Sequence, residues 1–354
     1  MISSAPTTPE RAIRFTGTWR EYLPIAASNV LLIIVTLGIY RFWAAARQRR
    51  YLWSRTEVIG DRLEWSGTGK EMFIGFLMVT AVLLPFFLFF QFLLPALVAR
   101  GKAEAAGGAF LLFYIVILYL GGVAGFRALR YRLSRTWWRG IRGGSDEPGW
   151  AYGGEYLGRA VLSAITLFIA WPWMATALFR SRWNEMSFGS LPFRSTLTAD
   201  GLGRRWAGIY LIPIALMILG AIVAGIGIGN TQRTSLSVVA VGLLLLVYLA
   251  IPLLTLHWYA KFYRNAARTM SLGKLEFGFD ATTREWLKLF LGNLALAVIT
   301  LGFGLAYWGY RNWAFMVRHM HIYGEVDVTA LSQSTTHVPT EAEGFADAFD
   351  IGAI

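Results

Sequence analysis

Residues 29–76 read NVLLIIVTLGIYRFWAAARQRRYLWSRTEVIGDRLEWSGTGKEMFIGF, and this stretch contains every kind of segment from which the chain is built. An apolar run with Gly38 near its end is followed by a segment rich in arginine and aromatic residues. Gly60 then opens the short alternating segment DRLEW, and the next apolar run follows. Apolar runs of this length predict helices, whereas alternation with period two predicts a short β-strand.

The same kinds of segment recur along the whole chain of 354 residues, of which 56% are hydrophobic and 15% are charged. Soluble domains carry about 25% charged residues, and about 18 consecutive apolar residues mark a candidate membrane span. This composition excludes an ordinary soluble enzyme, a collagen-like fibre and a disordered chain. The apolar blocks cover about 23–40, 72–99, 108–126, 157–179, 206–229, 236–260 and 287–307.

Three of these blocks share a spaced pattern, which indicates an internal repeat. Each begins with an acid, carries an amide or hydroxyl eight residues later, and has a threonine before its end. The members are Glu21, Asn29 and Thr36 in the first block, Glu155, Ser163 and Thr166 in the fourth, and Glu285, Asn293 and Thr300 in the seventh. The fourth block is the weakest copy, because it is four residues shorter before its threonine.

A glycine opens a short alternating segment after each repeated block and once more after the sixth. These segments are 60–65, 189–193, 273–277 and 324–328. Strands this short need partners, so we expect them to pair in a small juxtamembrane sheet. Aromatic linkers without fixed pairing are the alternative.

Residues 29–76 and the terminal EGFADAFDIGAI resemble the YjgN-like family of bacterial multi-pass inner-membrane proteins, and the resemblance covers nearly the whole chain. The TLGIYRFW and GTGKE runs make it specific. It implies a location in the bacterial inner membrane. Because the family is of unknown function, the resemblance carries over no catalytic or binding residue.

The positions of the lysines and arginines bear on topology, since cytoplasmic loops carry an excess of both. Seven true spans would divide them almost equally between the two faces. If the three repeated blocks enter and return on one face, only Arg100, Lys102 and Arg233 lie opposite. The charges therefore favour four spans and three re-entrant segments with cytoplasmic termini. Seven spans remain the alternative, because every block is long enough to cross.

We therefore predict an all-α polytopic membrane protein with short juxtamembrane β-strands, built from three pseudo-repeats separated by two transmembrane hairpins. A single membrane domain would cover residues 1–328. Its repeat units would be about 12–71, 150–205 and 277–328, and its transmembrane hairpins about 72–126 and 206–260. Residues 329–354 would form an acidic flexible tail, either docked on the basic surface or on a partner, or free.

The recurrent acids and polar residues are candidates for a solute or cation pathway, which favours a channel-like or carrier-like protein. The pathway candidates are Glu21, Asn29, Glu155, Ser163, Glu285 and Asn293. The simpler explanation of the acids is a first-turn position favoured by the helix dipole.

The alternative function is a scaffold that binds anionic lipid or a cytoplasmic partner through a face rich in arginine and tryptophan. The headgroup candidates are Arg41, Trp43, Arg47, Arg49, Arg50, Trp53, Arg180, Arg182, Trp183 and Arg311. The formal charge of +12 would also suit nucleic acid. At this hydropathy we expect the lipid bilayer and its anionic headgroups as partners, and no nucleic acid. The sequence leaves the oligomeric state open.

Enzymatic chemistry has little support in the sequence. The chain has no cysteine, and it lacks a phosphate-binding loop, a nucleophile elbow and a zinc-protease motif. His319 and His321 are two residues apart, but the only acid near them in sequence is Glu325. We expect no catalytic residue, no metal site and no cofactor.

Overall fold

The computed structural model describes residues 12–227, 233–324 and 331–338. Its strands are β1 (Ile13–Phe15), β2 (Thr56–Val58), β3 (Asp61–Trp65), β4 (Thr136–Trp138), β5 (Ile141–Gly144), β6 (Ser187–Phe188), β7 (Leu191–Ser195), β8 (Met270–Leu272), β9 (Leu275–Phe279) and β10 (Met320–Tyr323). Its helices are α1 (Trp19–Val35), α2 (Arg41–Ser54), α3 (Gly69–Leu88), α4 (Leu94–Ala99), α5 (Ala103–Arg135), α6 (Trp150–Ile165), α7 (Trp171–Asn184), α8 (Leu202–Gly227), α9 (Arg233–Arg268), α10 (Thr283–Ile299) and α11 (Trp308–His319). A π-helical turn (Phe89–Leu93) joins α3 to α4, and a 3-10 turn (Phe303–Tyr307) leads into α11.

The ten described strands form one antiparallel sheet in which each strand pairs with the next along the chain. The first and last strands, β1 and β10, approach each other, so the sheet nearly closes into a barrel. Two-residue turns join β2 to β3, β4 to β5, β6 to β7 and β8 to β9. Helices join the other successive pairs. Each helical unit therefore begins after one strand and ends at the strand that pairs with it. The helical units lie at one rim of the sheet, and the tight turns lie at the opposite rim.

The turn residues explain why the strands reverse so sharply. Ile59 and Gly60 both have positive φ, as do Arg139 and Gly140, which fits the primed turns that match the twist of a hairpin. Gly189 and Gly273 have positive φ at the first position of their turns. Glycine adopts this conformation without the steric cost that a Cβ imposes.

The helical units are of two kinds. Three short hairpins consist of α1 with α2, α6 with α7, and α10 with α11. Two long hairpins consist of α3 to α5 and of α8 with α9. At 1.5 Å per residue, the 17 residues of α1 extend about 25 Å, whereas the 33 of α5 extend about 50 Å. The short hairpins therefore reach about half as far from the sheet as the long ones.

Four described helical segments are long and apolar enough to cross a membrane, and all belong to the long hairpins. They are Gly69–Ala99, Ala103–Arg135, Leu202–Val223 and Val238–Arg268. Few of their side chains are buried within the protein. An apolar surface of this length, left uncovered by the rest of the chain, is typical of a span surrounded by lipid.

The hydrophobic core lies between the sheet and the ends of the helices that are nearest to it. One cluster joins Phe42 and Trp53 of the first short hairpin to Met72 and Tyr131 of the first long hairpin. A second cluster packs Phe126 and Leu129 of α5 with inward-facing residues of β7, β8 and β9. Burial is therefore concentrated where the helices meet the sheet.

The predicted all-α fold class is wrong, because an antiparallel sheet of ten described strands connects the helical units. Three of the predicted alternating segments correspond to β3, β7 and β9, whereas residues 325–328 of the fourth lie outside the described residues. The remaining strands are two to four residues long, and several continue directly from arginine-rich helix ends. A segment this short carries no periodic signal of its own, because cross-strand pairing across the sheet stabilises it.

Residues 331–338 of the predicted tail lie against the turn between β4 and β5. The Gln333 side chain accepts from the backbone N–H of Arg142 at 3.1 Å and donates to the carbonyl of Gly140 at 2.8 Å. Arg142 also donates to the hydroxyl of Thr336 at 3.3 Å. The acids expected to drive docking lie outside the described residues.

Candidate functional site

The three short hairpins break in the same way. At each break a leucine adopts positive φ, and the residue after it does so as well. The pairs are Leu37 with Gly38, Leu167 with Phe168, and Leu301 with Gly302. Two successive left-handed residues end a helix and reverse the chain, because they cannot continue right-handed hydrogen bonding.

The recurrent threonine stabilises each break. Thr36 donates its hydroxyl to the carbonyl of Leu32 at 2.7 Å and accepts from the N–H of Tyr40 at 2.9 Å. Thr300 forms the corresponding bonds with Leu296 and Gly304, both at 2.6 Å. Thr166 does the same, with a longer bond of 3.4 Å from Ala170 N–H. The hydroxyl thus satisfies a backbone donor that the break would otherwise leave free.

The tips of the short hairpins are apolar and uncovered. Leu37 is 94% exposed, Leu301 is 89% exposed and Leu167 is 73% exposed. Contiguous exposed apolar surface marks a protein or membrane contact. The tips therefore have the character of lipid-contacting surface.

The polar pathway candidates lie inside the short hairpins. Asn29, Ser163 and Asn293 are buried. Asn29 donates to the carbonyl of Ala44 on the returning helix at 3.4 Å, and Asn293 donates to Oδ1 of Asn312 at 3.0 Å. The Oδ1 atoms of both asparagines and the hydroxyl of Ser163 have no hydrogen-bond partner among the described residues. Burying such an oxygen without a partner costs about 1–3 kcal/mol.

The three acids of the pathway candidates lie near the sheet, and each has a different partner. Glu21 accepts from Arg55 at 3.1 Å and from Tyr51 at 3.3 Å. Glu155 accepts from Arg159 at 2.6 Å and from the hydroxyl of Ser181. These contacts hold each carboxylate against its own hairpin, and no contact between the three acids occurs among the described residues.

Glu285 completes a capping box with Thr282, whose N–H donates to the carboxylate at 2.7 Å. Hydrogen bonds from the backbone and side chain of Thr282 lower the pKa of the Glu285 carboxyl. An ionised acid in the first turn also interacts favourably with the helix dipole. Its described contacts are those of a helix cap.

The headgroup candidates divide into exposed and buried sets. The exposed ones are Arg41, Arg47, Arg50 and Arg180, the half-buried ones are Trp43, Trp183 and Arg311, and the buried ones are Arg49, Trp53 and Arg182. The guanidinium of Arg49 lies 5.2 Å from the centre of the Trp65 ring. Trp53 stacks on Trp313 at 4.2 Å and donates to the hydroxyl of Thr136 at 2.9 Å. The buried set therefore packs in the protein core, and the exposed set faces outward.

A cleft of about 480 Å³ opens between α10 and α11 of the third short hairpin. Its lining combines Lys288, Arg311, Arg318 and His319 with one acid and apolar residues, namely Glu285, Leu289, Tyr310, Ala314 and Phe315. The Nε atom of Arg311 is buried and has no hydrogen-bond partner in the part of the chain that the structure describes. This cleft therefore combines a sizeable volume with an unsatisfied positive charge.

Sequence similarity now assigns the chain to a family. The family described as "Bacterial protein of unknown function (DUF898)" matches residues 10–348. This chain belongs to the DUF898 family. The resemblance inferred from residues 29–76 is confirmed, because the curated relatives of this DUF898 protein include proteins named YjgN.

The matched relatives are inner membrane proteins YjgN. Identity is 31% to that of Escherichia coli K12 and 34% to that of Escherichia coli O157:H7, each over 134 residues, or 38% of this chain and 31% of the relative. Identity to that of Salmonella typhimurium LT2 is 29% over 143 residues, or 40% of this chain and 33% of the relative. The matched region thus spans about a third of each relative's length. No solved structure matches this chain.

Two features of this DUF898 chain escaped sequence reasoning. Asp280, in the loop after β9, binds His319 at 2.6 Å and His321 at 2.9 Å. Burial alone would raise the pKa of the Asp280 carboxyl, but hydrogen bonds from His321 and His319 hold it below its usual range. Among the described residues, no group of three or more His, Cys, Asp or Glu side chains is placed to hold a metal. The second missed feature is the cleft, for which the available signal was the repeat itself, since the offset that aligns Asn29 with Asn293 also aligns Arg47 with Arg311.

Proposed function

We propose that this chain is a non-catalytic scaffold of the bacterial inner membrane that binds anionic lipid headgroups. In this arrangement the two long hairpins supply four spans, and the three short hairpins enter the bilayer and return. All helical units enter from the face that carries the sheet, and that face is cytoplasmic.

The observation that carries this proposal is the pairing of strands on either side of each short hairpin. Ile13 of β1 lies opposite Val58 of β2, although the whole first short hairpin separates them. A hairpin that crossed the bilayer once would leave β1 and β2 on opposite sides, where they could not pair. The pairs β5 with β6 and β9 with β10 impose the same constraint on the other two short hairpins.

The dimensions support the same arrangement. A hydrocarbon core is about 30 Å thick, and α1, at about 25 Å long including its first turn near the sheet, is too short to cross it. The apolar tips at Leu37, Leu167 and Leu301 would lie in the acyl region. Backbone freed at a break within the bilayer must be satisfied by protein, which the threonines at each break do.

The distribution of charge supports a position of the anionic headgroup layer next to the sheet. With four spans, the only Lys and Arg on the far side are Arg100, Lys102 and Arg233, as expected if the sheet is cytoplasmic. Arg41, Arg47 and Arg50 are exposed on α2. Arginine side chains reach along a helix to phosphates, so the returning helices offer a basic surface to the lipid.

Topology can be tested by cysteine labelling, because the chain has no native cysteine. Single variants Glu64→Cys, Arg139→Cys, Arg194→Cys and Lys274→Cys place thiols at exposed sheet positions, and Lys102→Cys places one at the far loop. A membrane-impermeant maleimide added to intact cells should label only Lys102→Cys. Labelling of Glu64→Cys and Arg139→Cys, but not of the other two sheet positions, would instead indicate seven spans.

Lipid binding can be tested by native mass spectrometry after release from nanodiscs of equal phosphatidylglycerol and phosphatidylcholine. The wild type should retain mainly phosphatidylglycerol. The double variant Arg41→Gln/Arg50→Gln should retain less phosphatidylglycerol than the wild type. The control Arg139→Gln/Lys274→Gln removes the same charge from the sheet turns and should retain as much as the wild type. Retention of the two lipids in equal amounts by the wild type would reject the proposal.

A second candidate function is a solute or cation conduit, favoured by the unpartnered oxygens of Asn29, Ser163 and Asn293. Water or a cation could satisfy such oxygens if the short hairpins assembled around them. This function predicts solute flux through proteoliposomes that is lost in Asn29→Leu and Asn293→Leu. Equal flux in proteoliposomes and empty liposomes would exclude it.

A further inference from the structure

We infer that the cleft between α10 and α11 binds the phosphodiester of one anionic phospholipid, with Arg311 as the residue that contacts the phosphate. This inference rests on the proposed function, because it requires the third short hairpin to lie in the headgroup layer. It adds a single specific site to what is otherwise a diffuse basic surface.

A comparison of the first and third short hairpins shows why Arg311 is available. In the first hairpin, Arg47 of α2 reaches across to α1 and donates to the hydroxyl of Ser28 at 2.8 Å. Ser28 immediately precedes Asn29, and the residue that immediately precedes Asn293 is Gly292. Arg311 of α11 reaches across in the same way, and its guanidinium lies directly over Gly292. The third hairpin thus repeats the geometry of the first without the hydroxyl that accepts the bond.

No group within the described residues replaces that hydroxyl. The guanidinium of Arg311 makes no hydrogen bond, ion pair or ring contact with another described residue, and its Nε is shielded from solvent. The nearby acid on the cleft wall, Glu285, already accepts two bonds from Thr282, at 2.7 and 2.8 Å. An unsatisfied guanidinium fits a phosphate especially well, because its planar donors can form two parallel bonds to two phosphate oxygens.

The other cations make the cleft suitable for an anion. Lys288 is exposed on the cleft wall and makes no described ion pair. Arg318 and His319 lie at the end of α11 near the sheet, with His319 held by Asp280. One carboxylate among four basic side chains leaves the cleft with a positive balance, and its volume of about 480 Å³ is within the usual range for small-ligand sites.

The surroundings of the cleft favour a lipid over free phosphate. The cleft begins at the end of the hairpin near the sheet, beside Glu285 and His319. It extends toward Arg311, which lies near the middle of the hairpin. Beyond that point α10 exposes Ala295 and Ile299, which follow Lys288 along the same side of the helix, and the tip continues this apolar surface to Leu301. A phosphate at Arg311 would therefore continue naturally into acyl chains lying along the exposed side of α10, which a free phosphate could not use.

The test compares three variants of the full chain. Arg311→Gln removes the charge. Gly292→Ser keeps the charge but displaces the guanidinium, because a Cβ at this position would clash with Nη2 of Arg311, and it supplies a hydroxyl like the one that Arg47 bonds in the first hairpin. Arg284→Gln is the matched control, because Arg284 is exposed on α10 and does not line the cleft.

Binding is measured on the detergent-solubilised protein with short-chain phosphatidylglycerol as the probe, and with short-chain phosphatidylcholine and inorganic phosphate as separate arms. We expect one saturable phosphatidylglycerol site, weakened about tenfold or more by Arg311→Gln and by Gly292→Ser, as loss of a charged hydrogen bond implies. Arg284→Gln should bind as the wild type does. Inorganic phosphate should compete only weakly.

Three outcomes would overturn the inference. These are unchanged affinity in both cleft variants, equal weakening by Arg284→Gln and Arg311→Gln, and competition by inorganic phosphate as strong as that of the lipid. If Arg311→Gln fails to fold, Gly292→Ser decides alone, since it keeps every charge. If the wild type prefers phosphatidylglycerol in nanodiscs but neither cleft variant weakens binding, the cleft is rejected and the proposed function stands. If the wild type retains both lipids equally, both are rejected.

Discussion

Ile13 lies opposite Val58 in the antiparallel pair of β1 and β2, with the first short hairpin between them in sequence. The two ends of that hairpin are therefore held at one place on the rim of the sheet. The same relationship holds at β5 with β6 and at β9 with β10. Closure of each helical unit by a strand pair is the feature from which the proposed topology follows.

The first prediction concerns the break at Gly38, whose φ is +94°. No atom lies near the position of an added Cβ, so Gly38→Ala should destabilise only through backbone strain, by about 1–2 kcal/mol. Gly107→Ala is the control, because Gly107 lies within α5 and also has open space around it. That change should be neutral or stabilising, by up to about 1 kcal/mol. Thermal unfolding in detergent measures both, and equal effects would argue against a left-handed break.

The second prediction concerns Trp53, which sequence analysis placed among the headgroup candidates. It is 4% exposed, so we expect Trp53→Ala to cost about 3–5 kcal/mol of unfolding free energy, as truncation of a core aromatic residue does. Trp19→Ala is the matched control, because Trp19 is 56% exposed, and it should cost much less. The free energy of unfolding in detergent with added denaturant tests this difference. A mild effect at Trp53 would mean that its ring is not part of the core.

The third prediction concerns the bond from Asn293 to Asn312 that joins α10 to α11. Asn293→Ala and Asn312→Ala should each destabilise the protein, and the double variant should cost less than the sum of the two. A neutral hydrogen bond contributes about 0.5–1.5 kcal/mol, and a double-mutant cycle isolates that coupling. Strict additivity of the two changes would show that the bond contributes nothing.

The fourth prediction concerns pH and the attachment of β1. Glu57 of β2 binds Arg14 of β1 at 2.5 Å and Arg62 of β3 at 3.4 Å. The hydrogen bond from Arg14, followed by the smaller contributions of its charge and of Arg62, holds the pKa of the Glu57 carboxyl below its usual range despite burial. A lowered folded-state pKa means that the ion pairs stabilise the sheet above the ordinary carboxyl pKa. That contribution is lost as the pH falls through the lowered value.

Hydrogen exchange of the β1 and β2 amides tests this prediction. Protection should decline on acidification in the wild type, and Glu57→Gln should reduce it at neutral pH and flatten the dependence. Glu64→Gln is the control, because Glu64 is exposed on β3 and makes no described hydrogen bond or ion pair. An unchanged acid profile in Glu57→Gln would assign the effect to another group.

Residues that recur in the sequence correspond to local features of the short hairpins. The recurrent threonines mark the three breaks, because a hydroxyl there can bond both to the preceding turn and to the amide after the break. Thr68 caps α3 in a similarly local way, because its side chain accepts from the N–H of Glu71. The Glu71 carboxylate instead binds Tyr131 at 2.9 Å and Arg135 at 3.1 Å. Capping depends on residues three apart in sequence, whereas this second contact depends on how α3 packs against α5.

The arginine and tryptophan residues could not be sorted from sequence. Arg49 and Arg50 are neighbours on α2, yet Arg49 is buried against Trp65 and Arg50 is exposed. Both fit an aromatic and basic interfacial belt equally well in composition. Only the position of β3 beneath α2 separates them, because the sheet covers one side of the helix.

Composition, charge distribution and spacing by themselves determined the apolar blocks, the spacing shared by three of them and the family to which the chain belongs. These features are set by residues close together in sequence, or by how apolar the chain is, and neither requires knowledge of distant neighbours. Only the tertiary structure decided that ten strands form a single sheet and that each helical unit returns to its starting edge. Strands of two to five residues have almost no stability of their own, so their pairing depends on partners that in some cases lie more than 60 residues away, as Leu63 and Trp138 do.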